Sequence, residues 1–497
     1  MKSELLVILN RLGGSVDRLN DRITSYRLML YFLLALLGWA VIGSFFGKVP
    51  YSDYEILLSA GWLGLICWGC NYLLSKVFNI PANKESSLIS ALILALIMSP
   101  AVNLHGYAVL AAAGLAGMAT KYLLVFHKSH VFNPAAAGAF VAGLLLGQPA
   151  SWWVGTGFIT PLALIGGILI LRKTKRYMMV ATFLAVYGIY LVINSHFSLG
   201  VHLVTLEVFS TPLLFFAIVM LTEPLTSPDR ENIYLPYAVI VGVLYSATLL
   251  HVSPEEALLI GNLFSLAAAP KRRFQLTFQR KIQEAEEIYS YVFSRPAELR
   301  FSAGQYMEWT LWQPRSDSRG NRRYLTIASA PTEPEIMITV RFPKAASTFK
   351  RRLDTLKPGE SILAAHVTGE FILSKNQPHK LAFLAGGVGI TPFRSIIKEL
   401  LDMGDKIDAA LIYSASSSDQ IAFRGLFDQA RRIGLKTTYI TDRHIKEADI
   451  KHLLHDYQQR TFYISGPYSF VQAMEQSLLR LKVAPSQIKQ DYFPGYG

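Results

Sequence analysis

"LAAAPKRRFQLTFQRK", residues 266–281, is where the chain changes character. Upstream the sequence is mostly apolar. Downstream it alternates apolar and polar residues and carries charge. Pro270 ends the apolar run, because proline removes a backbone donor and its ring clashes with the preceding helical turn. Lys271, Arg272 and Arg273 follow at once. The seam divides a helical, membrane-type half from a strand-rich, soluble half.

At 497 residues the chain is too long for one core. Its 17% of charged residues lies below the level of about 25% usual in soluble domains. The net charge of +13 is not read as a nucleic-acid signal. Much of the Lys and Arg sits beside apolar segments, as expected of cytoplasmic membrane flanks. No cleavable leader is read, since Arg11, Arg18, Arg22 and Arg27 precede the first apolar stretch and no small-residue cleavage site follows it. Cys67 and Cys70 leave no disulfide framework. Spaced i, i+3, they share a helix face, and two thiolates cannot complete a four-ligand cluster. They read as buried thiols, and no metal site is expected.

Apolar segments lie near 28–47, 55–78, 87–101, 107–126, 131–147, 158–171, 178–194, 211–222, 235–251 and 254–269. Several fall short of the ~20 residues that span a bilayer. Basic residues should fall inside. With the N-terminus inside, Lys76, Lys84, Lys121, Lys128, "RKTKR" (Arg172 to Arg176), Arg230 and Lys271 to Arg273 all do so. About ten spans follow as the expectation, in a multi-pass protein of the inner (cytoplasmic) membrane with both ends cytoplasmic.

Three stretches in this half stand out. In "HVFNPAAAGAF", residues 130–140, Asn133-Pro134 breaks a helix and the small residues behind it permit close packing. "LTEPLTSPDR", residues 221–230, puts Glu223 at a membrane edge, where an ionisable group is a functional candidate. "WWVGTGFITPL", residues 152–162, lies on the outer side. The membrane histidines are scattered near span ends, which disfavours a pair of in-span haem ligands.

Together, "FNPA" and "TEPLTSP" resemble the family of the Rnf-complex D subunit and the B subunit of sodium-translocating NADH:quinone reductase. The resemblance covers roughly residues 28–269. It implies a membrane electron-transport domain, with FMN or quinone as its cofactor and other electron-transport subunits as partners. In that family a threonine carries FMN through a phosphoester. The nearest counterpart is Thr160, in a stretch that lacks the family's upstream Asp and its Gly-Ala.

From about Leu276, period-two runs ("GQYMEWTLW", "RRYLTIAS", "EIMITVRF") predict a small antiparallel barrel. After Pro378 short apolar strands alternate with helices ("KLAFLAGGVGI", "AALIYSAS", "KTTYIT", "RTFYISGP"), which predicts a parallel α/β sheet. The fold expected is therefore multidomain. A cytoplasmic segment (1–27) precedes a polytopic α-helical membrane domain (28–270). An antiparallel β-barrel (271–376) and an α/β parallel-sheet domain (377–497) follow.

The chemistry of the second half sits in a few strings. In "RRYLTIAS", 322–329, Arg323 offers a planar fork suited to a pyrophosphate. "ASTFKRRL", 346–353, offers the hydroxyls of Ser347 and Thr348 at a helix start, a second phosphate contact. "LAGGVGITPFRSII", 384–397, runs from a strand through glycines into a helix, the geometry that admits a phosphate or ring to the backbone.

These strings, in this order over 275–497, resemble the ferredoxin–NADP reductase family. The resemblance implies an FAD-dependent NAD(P)H oxidoreductase. It assigns Arg323 to the FAD pyrophosphate, Thr326 to flavin N5, and Ser329 to the same motif. The motif's aromatic position is Leu325, so Tyr324 is the alternative flavin neighbour. It assigns Gly386, Gly387, Gly389, Thr391 and Pro392 to NAD(P)H. In "YISGPYSFVQAM" Ser465 replaces the family's cysteine near the nicotinamide, followed by Gly466 and Pro467. Thr326 and Ser465 are the expected catalytic residues. A terminal aromatic, Phe493 or Tyr496, is expected to cover the flavin. After "ALIYS" the first basic residue is Arg424. The missing nearer arginine tilts the choice toward NADH. Three functions follow: electron transfer from NAD(P)H to a membrane acceptor, a redox-driven Na+ or H+ transporter, or a reductase merely anchored to the bilayer. No nucleic-acid partner is expected.

Overall fold

The computed structural model describes residues 23–78, 84–127, 129–194, 209–229, 231–246, 251–313, 317, 320–343, 346–373 and 380–493. The chain forms two compact units, divided in sequence between Arg272 and Arg273.

The first unit is helical: α1 (Ser25–Phe45), α2 (Asp53–Val77), α3 (Lys84–Ile97), α4 (Leu104–Leu123), α5 (Pro134–Leu146), α6 (Thr160–Thr174), α7 (Tyr177–Asn194), α8 (Leu213–Phe215, continued by a π-turn, Phe216–Met220), α9 (Glu231–Ser246) and α10 (Pro254–Ala268). A two-strand hairpin, β1 (Val125–Phe126) and β2 (Ser129–His130), links α4 to α5. Each apolar segment thus holds a helical element. The expectation of ten spans is nevertheless corrected. Among the described residues, three helices, α1, α2 and α7, are long and apolar enough to cross a membrane. For all but the 20-residue α4 the reason is length. A helix rises about 1.5 Å per residue, so the 13 residues of α5 fall well short of a hydrocarbon core about 30 Å thick. The stretch 211–222 is shorter still.

Asn133-Pro134 starts a helix as well as breaking one. Asn133 Oδ1 accepts from the amides of Ala135 and Ala136, each at 3.0 Å, and proline at the first helical position gives up no hydrogen bond. The small residues behind it bring α5 onto α4. A Cβ on Gly138 would stand 2.3 Å from the Ala113 carbonyl oxygen. Cys67 is buried, with Sγ 3.9 Å from the Gly114 carbonyl oxygen, and Cys70 is half-buried.

In the second unit the period-two runs become β3 (Arg273–Ala285), β4 (Ile288–Ser294), β5 (Tyr306–Thr310), β6 (Arg322–Thr326), β7 (Glu335–Arg341) and β8 (Ser361–Thr368), with helix α11 (Thr348–Asp354) before β8. The strands form one antiparallel sheet in the order β6-β5-β8-β3-β4-β7. The Ala328 amide donates to the Met337 carbonyl at 2.7 Å, which brings the segment after β6 onto β7 and rolls the sheet. The fully buried Trp309 and Phe293 pack inside it.

The α/β part follows. It comprises β9 (Lys380–Gly386), α12 (Thr391–Met403), β10 (Asp408–Ala415), α13 (Arg424–Gln429), β11 (Leu435–Thr441), α14 (Glu447–Leu453), β12 (Thr461–Pro467), α15 (Tyr468–Arg480) and β13 (Ile488–Phe493). Its sheet is parallel throughout, in the order β11-β10-β9-β12-β13. The order runs both ways from β9. This creates a topological switch point at the carboxyl ends of β9 and β12, where such sheets bind ligands.

Candidate functional site

The glycine string sits at that switch point. β9 delivers Gly386, a single 3₁₀ turn carries Gly387 to Ile390, and α12 begins at Thr391 with Pro392 in its first turn. Gly387 has φ +55 and open space where a Cβ would be, a conformation natural to glycine. Gly389 is there for close packing. A Cβ on it would stand 2.4 Å from the Ser465 carbonyl oxygen and 2.5 Å from the Gly466 amide nitrogen. Gly386 and Gly466 both lie against the Phe470 ring, which would meet their Cβ atoms at 2.8 Å. The tertiary fold therefore joins the two strings named from sequence, 386–392 and 465–467. The Thr391 hydroxyl donates to the Val388 carbonyl at 3.1 Å and closes the loop.

At the other cluster, the Arg323 guanidinium is buried over the Phe349 ring, 5.2 Å away. It donates to the carbonyls of Gly320 (3.2 Å) and Arg322 (2.6 Å). Ser347 caps α11 by accepting from the Lys350 amide at 3.4 Å. A residue not singled out from sequence, Asp317, closes this cluster. Its carboxylate accepts from the Thr348 amide at 3.0 Å and lies 3.7 Å from Arg323 Nη2. Its amide donates to the Thr348 hydroxyl at 3.1 Å. A carboxylate thus occupies the two positive groups expected to hold a pyrophosphate.

Tyr324 lies on the opposite side of β6 from Arg323. Strand alternation turns it away from Arg323; its ring is 58% exposed and its hydroxyl donates to Glu308 at 3.1 Å. Burial disfavours the charge of Glu308, but Arg322, His366 and Arg273 outweigh it and hold the carboxyl below its ordinary range. Ser329 also has a different partner. Its hydroxyl accepts from the Met337 amide at 3.0 Å, and its carbonyl accepts from Ser395 at 2.7 Å. Arg394, one residue before Ser395, donates to the Ala328 carbonyl at 3.1 Å and forks onto the Glu333 carboxylate. The first turn of α12 is thereby tied to the segment leaving β6. Arg394 and Glu333 went unread in the sequence, although Arg394 follows the glycine string directly.

Two hydroxyls test whether cofactors fit. Thr326 Oγ1 and Ser465 Oγ are buried, at residue exposures of 3% and 0%, and find no hydrogen-bond partner among the described residues. A buried polar group left unpaired costs about 1–3 kcal/mol. Their positions suit ligand groups that complete them: a flavin ring edge at the end of β6 and a nicotinamide at the end of β12. The residues fit FAD and NAD(P)H. Phe493 extends β13 opposite Pro467; its side chain and Tyr496 lie outside the described residues. Arg424 starts α13 with its guanidinium 5.0 Å from the Tyr439 ring centre.

In the helical unit, Thr160 is buried, and its hydroxyl donates toward the carbonyls of Thr156 and Phe209, each at 3.1 Å. That geometry lends no support to a phosphoester there. Elsewhere the two other strings converge. Asn133, Pro134 and Ala135 share one pocket with Thr222, Glu223 and Pro224, joined by Lys173 from α6 and Ser86 and Ser90 from α3. The pocket holds about 710 Å³ of empty space, its open mouth included.

Residues 383–476 match the model of the oxidoreductase NAD-binding domain family. The chain is 27% identical over 233 residues to the flavohemoprotein of Bacillus subtilis, covering 43% of this chain and 57% of that one. It is 26% identical over 233 residues to the stachydrine N-demethylase reductase subunit of Rhizobium meliloti, covering 43% and 65%. The chain thus spans less than two thirds of the length of either relative. A ferredoxin–NADP+ reductase from Neisseria gonorrhoeae superposes with a TM-score of 0.40 at 19% identity, over 44% of this chain and 98% of that one. The second unit is a ferredoxin–NADP reductase-like region that binds FAD and NAD(P)H, and the chain that carries it is an oxidoreductase.

Proposed function

We propose that the chain is a membrane-bound flavin oxidoreductase that passes electrons from NAD(P)H to an acceptor held by the helical unit. The acceptor is a quinone, a bound flavin such as FMN, or a partner subunit. The observation that carries this reading is the convergence of the "FNPA" and "TEPL" strings on one pocket, in the same chain as a reductase region. Bound FAD supplies the exchange between a two-electron hydride and single electrons. The protein's own part is to hold and orient. Arg323 and the α11 start at Ser347 and Thr348 present positive groups for a pyrophosphate, and Asp317 must yield them. The Thr326 hydroxyl meets the flavin ring edge, and Phe493 or Tyr496 covers the ring. Gly386, Gly387, Gly389, Gly466 and Pro467 admit the dinucleotide to the backbone, and the Ser465 hydroxyl meets the nicotinamide.

The apolar lengths of α1, α2 and α7 and the basic flanks of the helical unit support a multi-pass position in the cytoplasmic membrane. This reading puts the reductase region on the cytoplasmic side. An acid in the pocket also favours a second reading, in which electron flow moves Na+ or H+; proteoliposomes that oxidise NADH without building a gradient would exclude it. For the main reading, the purified full-length chain should carry about one FAD and reduce both ferricyanide and a short-tailed quinone with NAD(P)H. A folded chain without flavin overturns it. Flavin that stays attached after denaturation would map a covalent site, with Thr160 the first position to inspect.

A further inference from the structure

We propose that Glu223, backed by His130, supplies protons to the acceptor reduced in the helical pocket; the proposal rests on the reading of that pocket as the acceptor's site. The chemistry requires such a group. Converting a quinone to its hydroquinone adds two electrons and forms two O–H bonds. The balance is NAD(P)H + H+ + quinone giving NAD(P)+ + hydroquinone: one C–H bond breaks at the nucleotide, which is oxidised by two electrons, and one net proton comes from water. Electrons tunnel between sites, but protons do not. Both protons must therefore be delivered where the acceptor's oxygens lie.

Among the described residues that line the pocket, Glu223 is the one carboxylate. The other polar lining groups are hydroxyls (Ser25, Tyr26, Ser86, Ser90, Thr174, Thr222), the Asn133 amide and the Lys173 ammonium. Hydroxyls and amides hold no exchangeable proton reserve near neutral pH. Glu223 reaches both ways. Its side chain is 24% exposed, and Oε1 lies 3.9 Å from Nε2 of His130, whose side chain is 8% exposed. That separation is within ion-pair range. Imidazole is the side chain whose ordinary pKa suits recharging a carboxylate near neutrality. Oε2 accepts from the Thr226 hydroxyl at 2.9 Å, which aims the carboxylate.

Both partners stand on fastened backbone. His130 pairs with Val125 across the hairpin. The Glu223 loop is tied by Arg176 to Ser227 and by Lys271 to the Pro224 carbonyl, while Lys271 Nζ lies 2.9 Å from Asp229. Among the described residues, the titratable and charged groups around Glu223 are His130, Lys173, Tyr26, Tyr237, Lys271, Arg176 and Asp229. Arg176 and Lys271 are engaged by Asp229 and the loop backbone. His130 is the neighbour placed to pass a proton. The step is a transfer from Glu223 Oε to an acceptor oxygen, followed by reprotonation of the carboxylate from His130 and of His130 from water.

The test uses the full-length chain in detergent, with ubiquinone-1 as probe and ferricyanide, which takes electrons without protons, as reference. Glu223→Gln should lower the ratio of quinone to ferricyanide reduction at least tenfold at pH 8. The residual quinone rate should rise with acidity as hydronium replaces the lost donor. Glu223→Asp should recover part of the ratio, and His130→Asn should shift the pH profile of the quinone rate while leaving the affinity for quinone. A wild-type pH profile and ratio in Glu223→Gln overturns the inference alone. A wild-type chain that reduces ferricyanide but no quinone overturns the quinone reading of the acceptor and the inference with it. If Glu223→Gln loses its flavin, Glu223→Asp and His130→Asn decide, and unchanged profiles in both overturn the proposal.

Discussion

The two halves of the reductase site are built on opposite plans. At the nicotinamide end the walls are backbone. Gly389 lies against the Ser465–Gly466 peptide, Gly386 and Gly466 lie against Phe470, and the Ser465 hydroxyl is left open. At the flavin end the walls are charged side chains that satisfy one another. Asp317 holds both Arg323 and the start of α11. The first end is preorganised, because a glycine contact has no rotamer to relax. On the function proposed above, a phosphate at the second displaces a carboxylate.

The sharpest way to break this contrast is Gly389→Ala. Its methyl would stand 2.4 Å from a backbone oxygen, so loop and strand must part. A misplacement of about 1 Å can cost on the order of 10²-fold in rate. We expect kcat/KM for NAD(P)H with ferricyanide to fall about that much, while flavin absorbance shows FAD retained. Equal loss of FAD would show that the two ends are not separately built.

Glu308→Gln probes the charged groups on the other face of β6. Removing the carboxylate that satisfies Arg322 at this buried site should cost about 2 kcal/mol at neutral pH, read as a lower unfolding temperature. The sign with pH follows from the lowered carboxyl of Glu308. Its contribution is fully present above the unfolded value of about 4.3. It is lost as pH falls through the lower folded value. Wild type and variant should therefore converge in acid, and a gap that persists there would contradict the assignment.

The smallest effect is expected of Asp317→Asn. Without the carboxylate's charge, Arg323 and α11 are freer for a phosphate. A hydrogen-bonded contact is worth about 1 kcal/mol net, so the dissociation constant for FAD, measured by flavin fluorescence, should fall about fivefold. An unchanged or weaker affinity would mean that the carboxylate and FAD do not compete.

What was legible depended on the range of the interaction that fixes each group. The strands of the sheet announced themselves by period-two runs, since a strand's two faces are set by adjacent residues. The glycine string was legible because its constraint is on the local backbone. Tyr324 neighbours the motif in sequence, while alternation points its hydroxyl to Glu308. Ser329 carries a hydroxyl that the rolled sheet spends on the Met337 amide. Asp317 had no signal, because it meets Arg323 and Thr348 only after β6 and α11 have docked.

In the helical unit, apolar runs located the helices but overcounted spans, because apolarity measures burial in protein and in lipid alike. The break at Asn133-Pro134 and the acid at Glu223 were marked by sequence alone. Their meeting at one pocket, and the 3.9 Å between Glu223 and His130, were settled by packing. Sequence by itself determined the division of the chain at the seam, the order of its elements and the chemistry of its glycine and arginine strings. These rest on periodicity, on proline and on glycine, which act over a few residues. Only the tertiary structure decided which polar groups stay open, which are closed by a neighbour and which distant motifs share a site. Those outcomes depend on the partners a buried group finds, and the partners come from elsewhere in the chain.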